Sequence, residues 1–458
     1  MSEPLALPPE DMRRLGYAVV DRLVDHATGL RDAPPVKVGD AAALRTALGG
    51  PPPEAPGDPD RALAALFDDV LPWGQRGDHP RFFARVGSPS NFVSVLADAA
   101  ASGSNVFAGS WTGGSGTAAV ELVVLDWLRE LCGMPEGTEG VLTTGGSVAT
   151  LDALYAARVD RFGSGSLDRA VAYLSDQGHA ALPRALRIIG VPPEGIRVLP
   201  CDARQRLDPE AVREAVETDR AAGREPFAVL ATAGTTSTGA VDPLPALAAL
   251  CSDHGLWLHV DGAYGAPAVL CEPGRALLEG MELADSLALD PHKWLFQPYE
   301  IGCLLVRKPG ALERAFSLSG DYLRDTVGGE VEFRDRSVQL TRGGRALKLW
   351  LSIRVFGLAA FRDAVAHGIA LAEHAEALAR ERPGWSVASA AQLAIVCFRR
   401  DGGDARQDRI VAAMTAGGFA APSTTLVDGR VALRLCTLNP RTSFEDVEAT
   451  FDAMESIS

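Results

Sequence analysis

From about residue 170 to residue 306, the chain alternates short apolar runs with longer amphipathic segments. The apolar runs are VAYLS, RVLPC, FAVLATAG, WLHVDGAYG, DSLALD and GCLLVRK. This rhythm is typical of βαβ units and predicts an α/β fold with a mostly parallel central sheet. Ligands of such sheets bind beyond the carboxyl ends of the strands, so polar residues that directly follow an apolar run are the first candidates for a site. This rule selects Thr235, Asp261 and Lys293.

The segments on either side of this alternation predict two smaller units. Residues 1–78 begin with an amphipathic helical pattern and continue through two proline-rich stretches, which predicts a helical N-terminal arm. Residues 79–346 would form the large α/β domain. Residues 347–458 begin with a long helical pattern and then alternate strands and helices, which predicts a smaller α+β C-terminal domain.

Charge and cysteine usage disfavour several classes of protein. The chain has 44 Lys and Arg residues against 59 Asp and Glu residues, a net charge of -15, so its surface field repels nucleic acid and anionic membranes. No uninterrupted apolar run approaches the ~18 residues that span a bilayer, and the N-terminus lacks the pattern of a signal peptide. The seven cysteines are scattered singly, without metal-ligand spacing. We therefore expect a cytoplasmic protein without a metal site.

The DPHKW element contains the lysine of greatest interest. Lys293 comes shortly after the apolar run SLAL, with His292 beside it. Most lysines are solvated surface charges, because burial of an ammonium group is costly unless its pKa falls or the nitrogen is covalently bound. A Schiff base with an aldehyde cofactor removes that cost. Lys293 is therefore a candidate for a cofactor-binding lysine, and His292 beside it is a further cofactor-binding candidate.

The HVDGAYG segment offers a carboxylate at a second strand end. Asp261 is interpreted either as a helix cap or turn residue, or as an acid that holds a proton on a pyridine nitrogen. In the second case the small Ala263 would leave room for a flat ring. A charge-assisted hydrogen bond contributes about 1.5 to 3 kcal/mol, or roughly 1 to 2 pKa units on that nitrogen.

Three further strand ends carry polar residues, and each has an ordinary structural interpretation as well. Gly145, Gly146 and Ser147 precede a helix, where they would hold a phosphate or simply form a turn with a serine cap. His179 would stack on a ring or lie at the surface, and the Thr235 hydroxyl would bind a cofactor oxygen or close a turn. Together with Lys293, these residues match what pyridoxal 5′-phosphate (PLP) requires: an aldehyde-binding lysine, an acid, a phosphate cradle and a ring stacker.

With these motifs the chain resembles the group II pyridoxal-phosphate amino-acid decarboxylases. The resemblance runs from HPRFFA at His79 through SDQGH, TAGTT, WLHVDGAYG and DSLALDPHKWL to LKLW and LRLCTLNPRT. It implies a type I aminotransferase-like fold and a homodimer with an N-terminal arm that wraps over the partner and active sites at the interface. By this resemblance Lys293 would bind the aldehyde and Asp261 would pair with the pyridine nitrogen. His179 and Ala263 would lie on the two faces of the ring, and the phosphate would be held by Gly145, Gly146 and Ser147.

The resemblance also implies the reaction, which is decarboxylation of an L-amino acid to the amine and carbon dioxide. The family returns a proton with a tyrosine from a loop of the other subunit, and Phe333 stands where that tyrosine is expected. The same change in this family is associated with aldehyde synthases, which perform an oxidative deamination. Tyr322 and His179 are alternative proton donors, so amine formation is the first expectation and aldehyde formation the second.

Single residues also bear on the choice of substrate and on the alternative classes of protein. Phe107 and Trp111 would supply an apolar pocket for an aromatic substrate, whereas Arg85 would pair with an acidic side chain or lie at the surface.

A nicotinamide-dependent enzyme is disfavoured because the glycine fingerprint GxGxxG is missing. An aminotransferase would need an arginine for the substrate carboxylate, for which Arg434 is a weak candidate. A non-catalytic scaffold is the remaining alternative.

Overall fold

The structure is a computed structural model that describes residues 5–317 and 329–457. Its N-terminal part is an extended helical arm. The arm contains helices α1 (Pro9–Thr28), α2 (Ala41–Leu48) and α3 (Pro59–Ala65) and the antiparallel strands β1 (Val36–Lys37) and β2 (Gly74–Gln75). All residues of α1 are described and none of them is buried. The arm therefore adds little to the core of this chain.

The large domain is built on a seven-stranded sheet with the order β3-β9-β8-β7-β6-β4-β5. Its strands are β3 (Glu139–Thr143), β4 (Ala170–Ser175), β5 (Ile196–Leu199), β6 (Glu225–Thr232), β7 (Trp257–Asp261), β8 (Ser286–Leu289) and β9 (Gly302–Val306). Strands β4 to β8 pair in parallel, whereas β9 is antiparallel to β8 and β3. This confirms the predicted α/β fold with a mostly parallel sheet.

Several helices of the large domain pack on this sheet, which explains the continuous apolar runs of its strands. The helices are α4 (Phe92–Ser104), α5 (Trp111–Leu131), α6 (Gly146–Phe162), α7 (Ala181–Ile188), α8 (Pro209–Ala221), α9 (Leu244–His254), α10 (Glu272–Leu277), α11 (Pro291–Trp294) and α12 (Ala311–Phe316). Every residue of β4, β7, β8 and β9 is buried. The parallel strands thus all end at one edge, at which their polar C-terminal neighbours meet.

The C-terminal part begins with the 36-residue helix α13 (Ala346–Glu381), which is interrupted by non-helical backbone at Gly357 (φ 72°, ψ 154°). It continues with β10 (Trp385–Gln392), β11 (Ile395–Arg400), α14 (Asp404–Gly417), β12 (Ser423–Val427), β13 (Arg430–Cys436) and α15 (Phe444–Glu455). The four strands form an antiparallel sheet with the order β10-β11-β13-β12. Trp385, Phe398 and Phe451 pack against one another in its core, with their ring planes tilted or edge to face.

Among the described residues, α13 is the one helix that is long and apolar enough to cross a membrane by length and composition. The sequence predicts no such span, because no apolar run approaches ~18 residues. In the structure, α13 packs against α4, α5 and the strands β10 and β11. It thus joins the two domains.

Candidate active site

A cavity of about 430 Å³ lies at the carboxyl edge of the large sheet. It collects side chains that follow β3, β4, β6, β7 and β8, as the strand-end rule predicts. Eight of the predicted residues line it, namely Gly145, Gly146, Ser147, His179, Asp261, Ala263, His292 and Lys293. The structure therefore brings together most of the residues that sequence reasoning selected.

Lys293 lies on the one-turn helix α11, where its Nζ is 3.0 Å from Oδ2 of Asp290. Burial favours the neutral amine and by itself lowers the lysine pKa, but the carboxylates of Asp290 and Asp261 outweigh it, so the pKa of Lys293 lies above its usual value. The side chain is 25% exposed, which keeps the amine accessible from the cavity.

Asp261 is the last residue of β7 and lies at the floor of the cavity, 8% exposed. Its Oδ1 accepts a hydrogen bond from the Ala263 amide at 3.1 Å, so the turn interpretation of this residue also holds. Burial raises the pKa of Asp261, and the charge of Lys293 opposes this shift. A cation placed against Asp261 would stabilise the ionised carboxylate further, as a protonated pyridine nitrogen does.

The N-terminus of the 17-residue helix α6 opens onto the same cavity. Gly145, with φ of 151°, is the residue that precedes the helix, so Ser147 is not its N-cap. A Cβ atom on Gly146 would lie 2.9 Å from Cβ of Ala263 and 3.2 Å from Oδ2 of Asp290. The missing side chain leaves the backbone open to an anion, and the helix dipole favours it. The donor set of the cavity thus fits PLP.

Two histidines line the cavity in fixed orientations. Nδ1 of His179 accepts a hydrogen bond from the Ala181 amide at 3.2 Å. The ring of His292 lies with Nδ1 2.7 Å from the carbonyl oxygen of Ile301, and burial lowers the pKa of His292. Nδ1 of His292 thus bonds to the Ile301 carbonyl oxygen, while Nε2 faces Oδ2 of Asp290 at 3.7 Å.

Beneath the cavity, a buried chain of hydrogen bonds connects three elements that carry site residues. Nε2 of His259 on β7 lies 3.1 Å from Oγ1 of Thr150 on α6, and Nδ1 lies 2.9 Å from Oγ of Ser286 on β8. Trp257 Nε1 also donates to Ser286 Oγ, at 2.8 Å. Burial lowers the pKa of His259 to about 3, so the ring is neutral at physiological pH.

Thr235 does not line the cavity. Its Oγ1 lies 3.0 Å from Oγ1 of Thr238 and accepts a hydrogen bond from the Ala240 amide at 3.1 Å, so the hydroxyl closes the turn after β6. Thr232 and Thr236, on either side of it, line the cavity instead. The rule selected the correct strand end but the wrong neighbour, because the hydroxyl is used within its own turn.

Phe333 does not contact the cavity either. It is 1% exposed, and its ring packs under the guanidinium of Arg342, 5.0 Å from ring centroid to Cζ. The prediction that Phe333 stands in place of the proton-donating tyrosine concerns the cavity of a partner subunit, and the buried ring in this chain gives it no support. Tyr322, the alternative donor, lies outside the described residues.

The three predicted substrate residues lie apart from the cavity of their own chain. Arg85 is exposed with φ of 56°, and its carbonyl oxygen accepts a hydrogen bond from Arg434. Phe107 is 36% exposed, and Trp111 begins α5 with its amide donating to Glu332. Arg434 does not line the cavity, which gives no support to an aminotransferase.

Sequence reasoning missed Asp290, Tyr299 and Glu300, all of which line the cavity. Asp290 directly follows the last residue of β8, so the same strand-end rule identifies it. Tyr299 and Glu300 lie in an irregular loop before β9, and no sequence pattern marks them. The described residues contain no cluster of His, Cys, Asp or Glu side chains that would hold a metal ion.

Comparisons with known proteins agree with this geometry. The family model described as the pyridoxal-dependent decarboxylase conserved domain matches residues 51–401. An aromatic-L-amino-acid decarboxylase of Bacillus atrophaeus is 43% identical over 98% of this chain and 95% of its own. A phenylacetaldehyde synthase of Arabidopsis thaliana is 30% identical over 97% and 95%. The crystal structure of Oryza sativa TDC with PLP and tryptamine superposes with a TM-score of 0.95 at 29% identity and covers 100% of this chain and 99% of that one.

Proposed function

Since this chain belongs to the pyridoxal-dependent decarboxylase family, we propose that it is a carboxy-lyase that converts an aromatic L-amino acid to its amine and carbon dioxide. The observation that carries the proposal is the convergence of Lys293, Asp261 and the glycine pair at 145 and 146 on one cavity. The similarity to the Bacillus decarboxylase supports the aromatic substrate.

Each part of PLP has a matching group in the cavity. Gly145, Gly146 and Ser147 at the start of α6 would hold the phosphate, and Lys293 would bind the aldehyde carbon. Asp261 would pair with the pyridine nitrogen, and His179 would lie against the ring. When bound, PLP supplies the electron sink that accepts the electron pair left by the departing carboxyl group.

The protein's own residues set the charges that this reaction needs. Burial raises the pKa of Asp261, so a cation placed against its carboxylate stabilises the ionised form and is itself kept protonated in return. Lys293 holds its proton against Asp290 at 3.0 Å until the amine is required. His179, at the cavity wall, is one of the groups from which a proton could return to the substrate carbon.

The product is the point at which the relatives differ, because a decarboxylase and aldehyde synthases are both similar to this chain. The sequence argument for an aldehyde depended on Phe333, which is enclosed by the core. Without it, Tyr322 is the candidate proton donor that favours the amine. A Tyr322→Phe variant should then form aldehyde and hydrogen peroxide in place of amine, whereas unchanged amine formation would point to His179.

We further propose a cytoplasmic homodimer with active sites at the subunit interface. Exposed apolar side chains on α1, among them Met12, Tyr17 and Val24, support a partner for the arm. Phe107 and Trp111 lie outside the cavity of their own chain and would instead complete that of the partner. The seven cysteines are all free thiols, which supports a reducing compartment. Sedimentation of the holoenzyme tests the dimer, and a monomer would refute it.

The reaction itself is tested by product analysis. The holoenzyme is incubated with phenylalanine, tyrosine, tryptophan and glutamate while amine, carbon dioxide, peroxide and dissolved oxygen are measured. Amine and carbon dioxide in equal amounts from an aromatic substrate support the proposal, and a Lys293→Ala variant should form neither. Stoichiometric peroxide without amine would establish the aldehyde alternative, and preferred turnover of glutamate would refute the aromatic substrate.

A further inference from the structure

Asp290 is a second buried carboxylate of the cavity, and the proposed function gives it no role beyond its contact with Lys293. It is 2% exposed, and its Oδ2 lies 3.0 Å from Lys293 Nζ and 3.7 Å from His292 Nε2. Its Oδ1 is buried and has no hydrogen-bond partner among the described residues. Burial of a carboxylate with one oxygen unpaired costs free energy, which the neighbouring ammonium offsets.

Asp290 also lies close to the glycine pair at the start of α6. A Cβ atom on Gly146 would lie 3.2 Å from Oδ2, and one on Gly145 would lie 3.8 Å from Oδ1. The carboxylate therefore stands between the lysine amine and the helix N-terminus that would hold the phosphate. It attracts the ammonium and opposes an anion at that helix end.

We propose that Asp290 is a positioning residue for cofactor capture, acting as the counter-ion that keeps Lys293 in its ammonium form in the cofactor-free protein. Condensation of an ammonium group with an aldehyde forms one C=N bond and releases one water and one proton, and here that proton passes to the water of the open cavity. The amine must lose this proton before its electron pair can bond to the aldehyde carbon. Asp290 thus sets the pH at which the protein captures its cofactor. This inference rests on the proposed role of Lys293.

Other titratable groups also face Lys293, and they stay unchanged when Asp290 alone is altered. They are Asp261 at the end of β7, His179 after β4, His292 on α11, and Tyr299 and Glu300 before β9. A difference between the parent and a variant at position 290 therefore isolates the effect of this one carboxylate.

The main experiment measures, by the change in visible absorbance, the rate at which apoprotein captures PLP at pH values between about 6 and 12, a range that includes the midpoint expected for Lys293. Loss of a charge-assisted hydrogen bond corresponds to roughly 1 to 2 pKa units. The midpoint of the Asp290→Asn profile should therefore shift down by about that amount, and capture at pH 7 should be about 10 to 100 times faster. An unchanged or raised midpoint would overturn the inference.

Inorganic phosphate gives a second readout, which a merely structural role would not improve. Because Asp290 opposes an anion at the start of α6, the Asp290→Asn apoprotein should bind inorganic phosphate several-fold more tightly. The matched control is Asp285→Asn, the same change just before β8, where the carboxylate accepts a hydrogen bond from the Leu258 amide. Both readouts should stay within twofold of the parent in this control, and weaker phosphate binding by Asp290→Asn would contradict the proposal.

A third measurement needs no substitution and so holds even if Asp290→Asn fails to fold. Acylation of the parent apoprotein at different pH values, read by mass spectrometry, gives the midpoint for Lys293 beside that of the exposed Lys37. A counter-ion at Asp290 predicts a Lys293 midpoint at or above that of Lys37, whereas a midpoint at least one unit below would refute it. None of these assays contains an amino-acid substrate. Capture that persists in Lys293→Ala would instead show that the proposed lysine is wrong.

Discussion

The pair formed by Glu121 and Arg342 is the interaction whose loss should cost the large domain most. Both side chains are 0% exposed, and Arg342 Nη2 donates to Glu121 Oε1 at 2.5 Å. The same guanidinium donates to the carbonyl oxygens of Leu142 and Ala108, at 2.6 and 3.1 Å. Glu121 in turn accepts the Leu142 amide at 2.9 Å. The pair thus joins α5, the edge strand β3 and the segment before α13.

Removal of one partner leaves the other as an unpaired charge without access to water. Such single substitutions cost about 3 to 5 kcal/mol, and Arg342→Met additionally leaves two carbonyl oxygens without this donor. We therefore expect Glu121→Gln and Arg342→Met each to lower the free energy of unfolding by about 3 to 5 kcal/mol. A domain with a typical stability of about 5 to 15 kcal/mol would lose a large fraction of it.

The assay is urea unfolding of the holoenzyme, followed by tryptophan fluorescence and circular dichroism. The matched control is Glu210→Gln, which breaks the exposed pair with Arg213 on α8 and should cost less than about 1 kcal/mol. The double variant Glu121→Gln, Arg342→Met should lose less unfolding free energy than the two single variants lose together, because it leaves no unpaired charge. Single losses below about 1 kcal/mol would refute the reasoning.

Three further substitutions test the site and the buried acids and bases around it. Gly146→Ala, with its methyl group 2.9 Å from Ala263, should weaken PLP affinity at least about tenfold in a titration, whereas Gly103→Ala, with nothing within 4 Å, should not. His259 has a folded pKa of about 3, below its unfolded value, so the stability that the neutral ring contributes is lost as pH falls. The difference in unfolding free energy between the parent and His259→Gln should shrink by about 1.4 kcal/mol per pH unit between pH 6 and pH 4. Burial raises the pKa of Asp152 to about 7, above its unfolded value, so the stability that the protonated acid contributes is lost as pH rises. In urea unfolding, the parent should lose about 1.4 kcal/mol of unfolding free energy per pH unit relative to Asp152→Asn between pH 4 and pH 7.

The sequence was sufficient to locate site residues where they follow strands that are buried on both faces. Strands covered on both faces are apolar throughout, so their ends are sharp, and the polar residues beyond them are conspicuous. Asp261 and Lys293 were found in this way, and Asp290 is found by the same rule. Gly146 was found because a helix must begin where the strand ends, and a missing side chain there opens the backbone to an anion.

The same reasoning failed where a side chain has two possible partners. The hydroxyl of Thr235 was available for a cofactor in the sequence, but in the fold it satisfies the amide of Ala240. Phe333 was placed by alignment in a segment without periodicity, and such segments carry no signal that separates a buried ring from an exposed one. Tyr299 and Glu300 were missed for the same reason, since a loop before an antiparallel strand has no pattern of its own.

This distinction also bears on which residue selects the product. A residue can change the fate of the substrate only if its atoms reach the cavity, in this subunit or in its partner. Phe333 is covered by Arg342 and the surrounding core, so a Phe333→Leu substitution would alter packing and not chemistry. We therefore expect Phe333→Leu to lower the unfolding free energy by about 1 to 3 kcal/mol while the ratio of amine to aldehyde stays constant. A changed product ratio in a folded Phe333→Leu enzyme would show that this ring does reach a reacting atom.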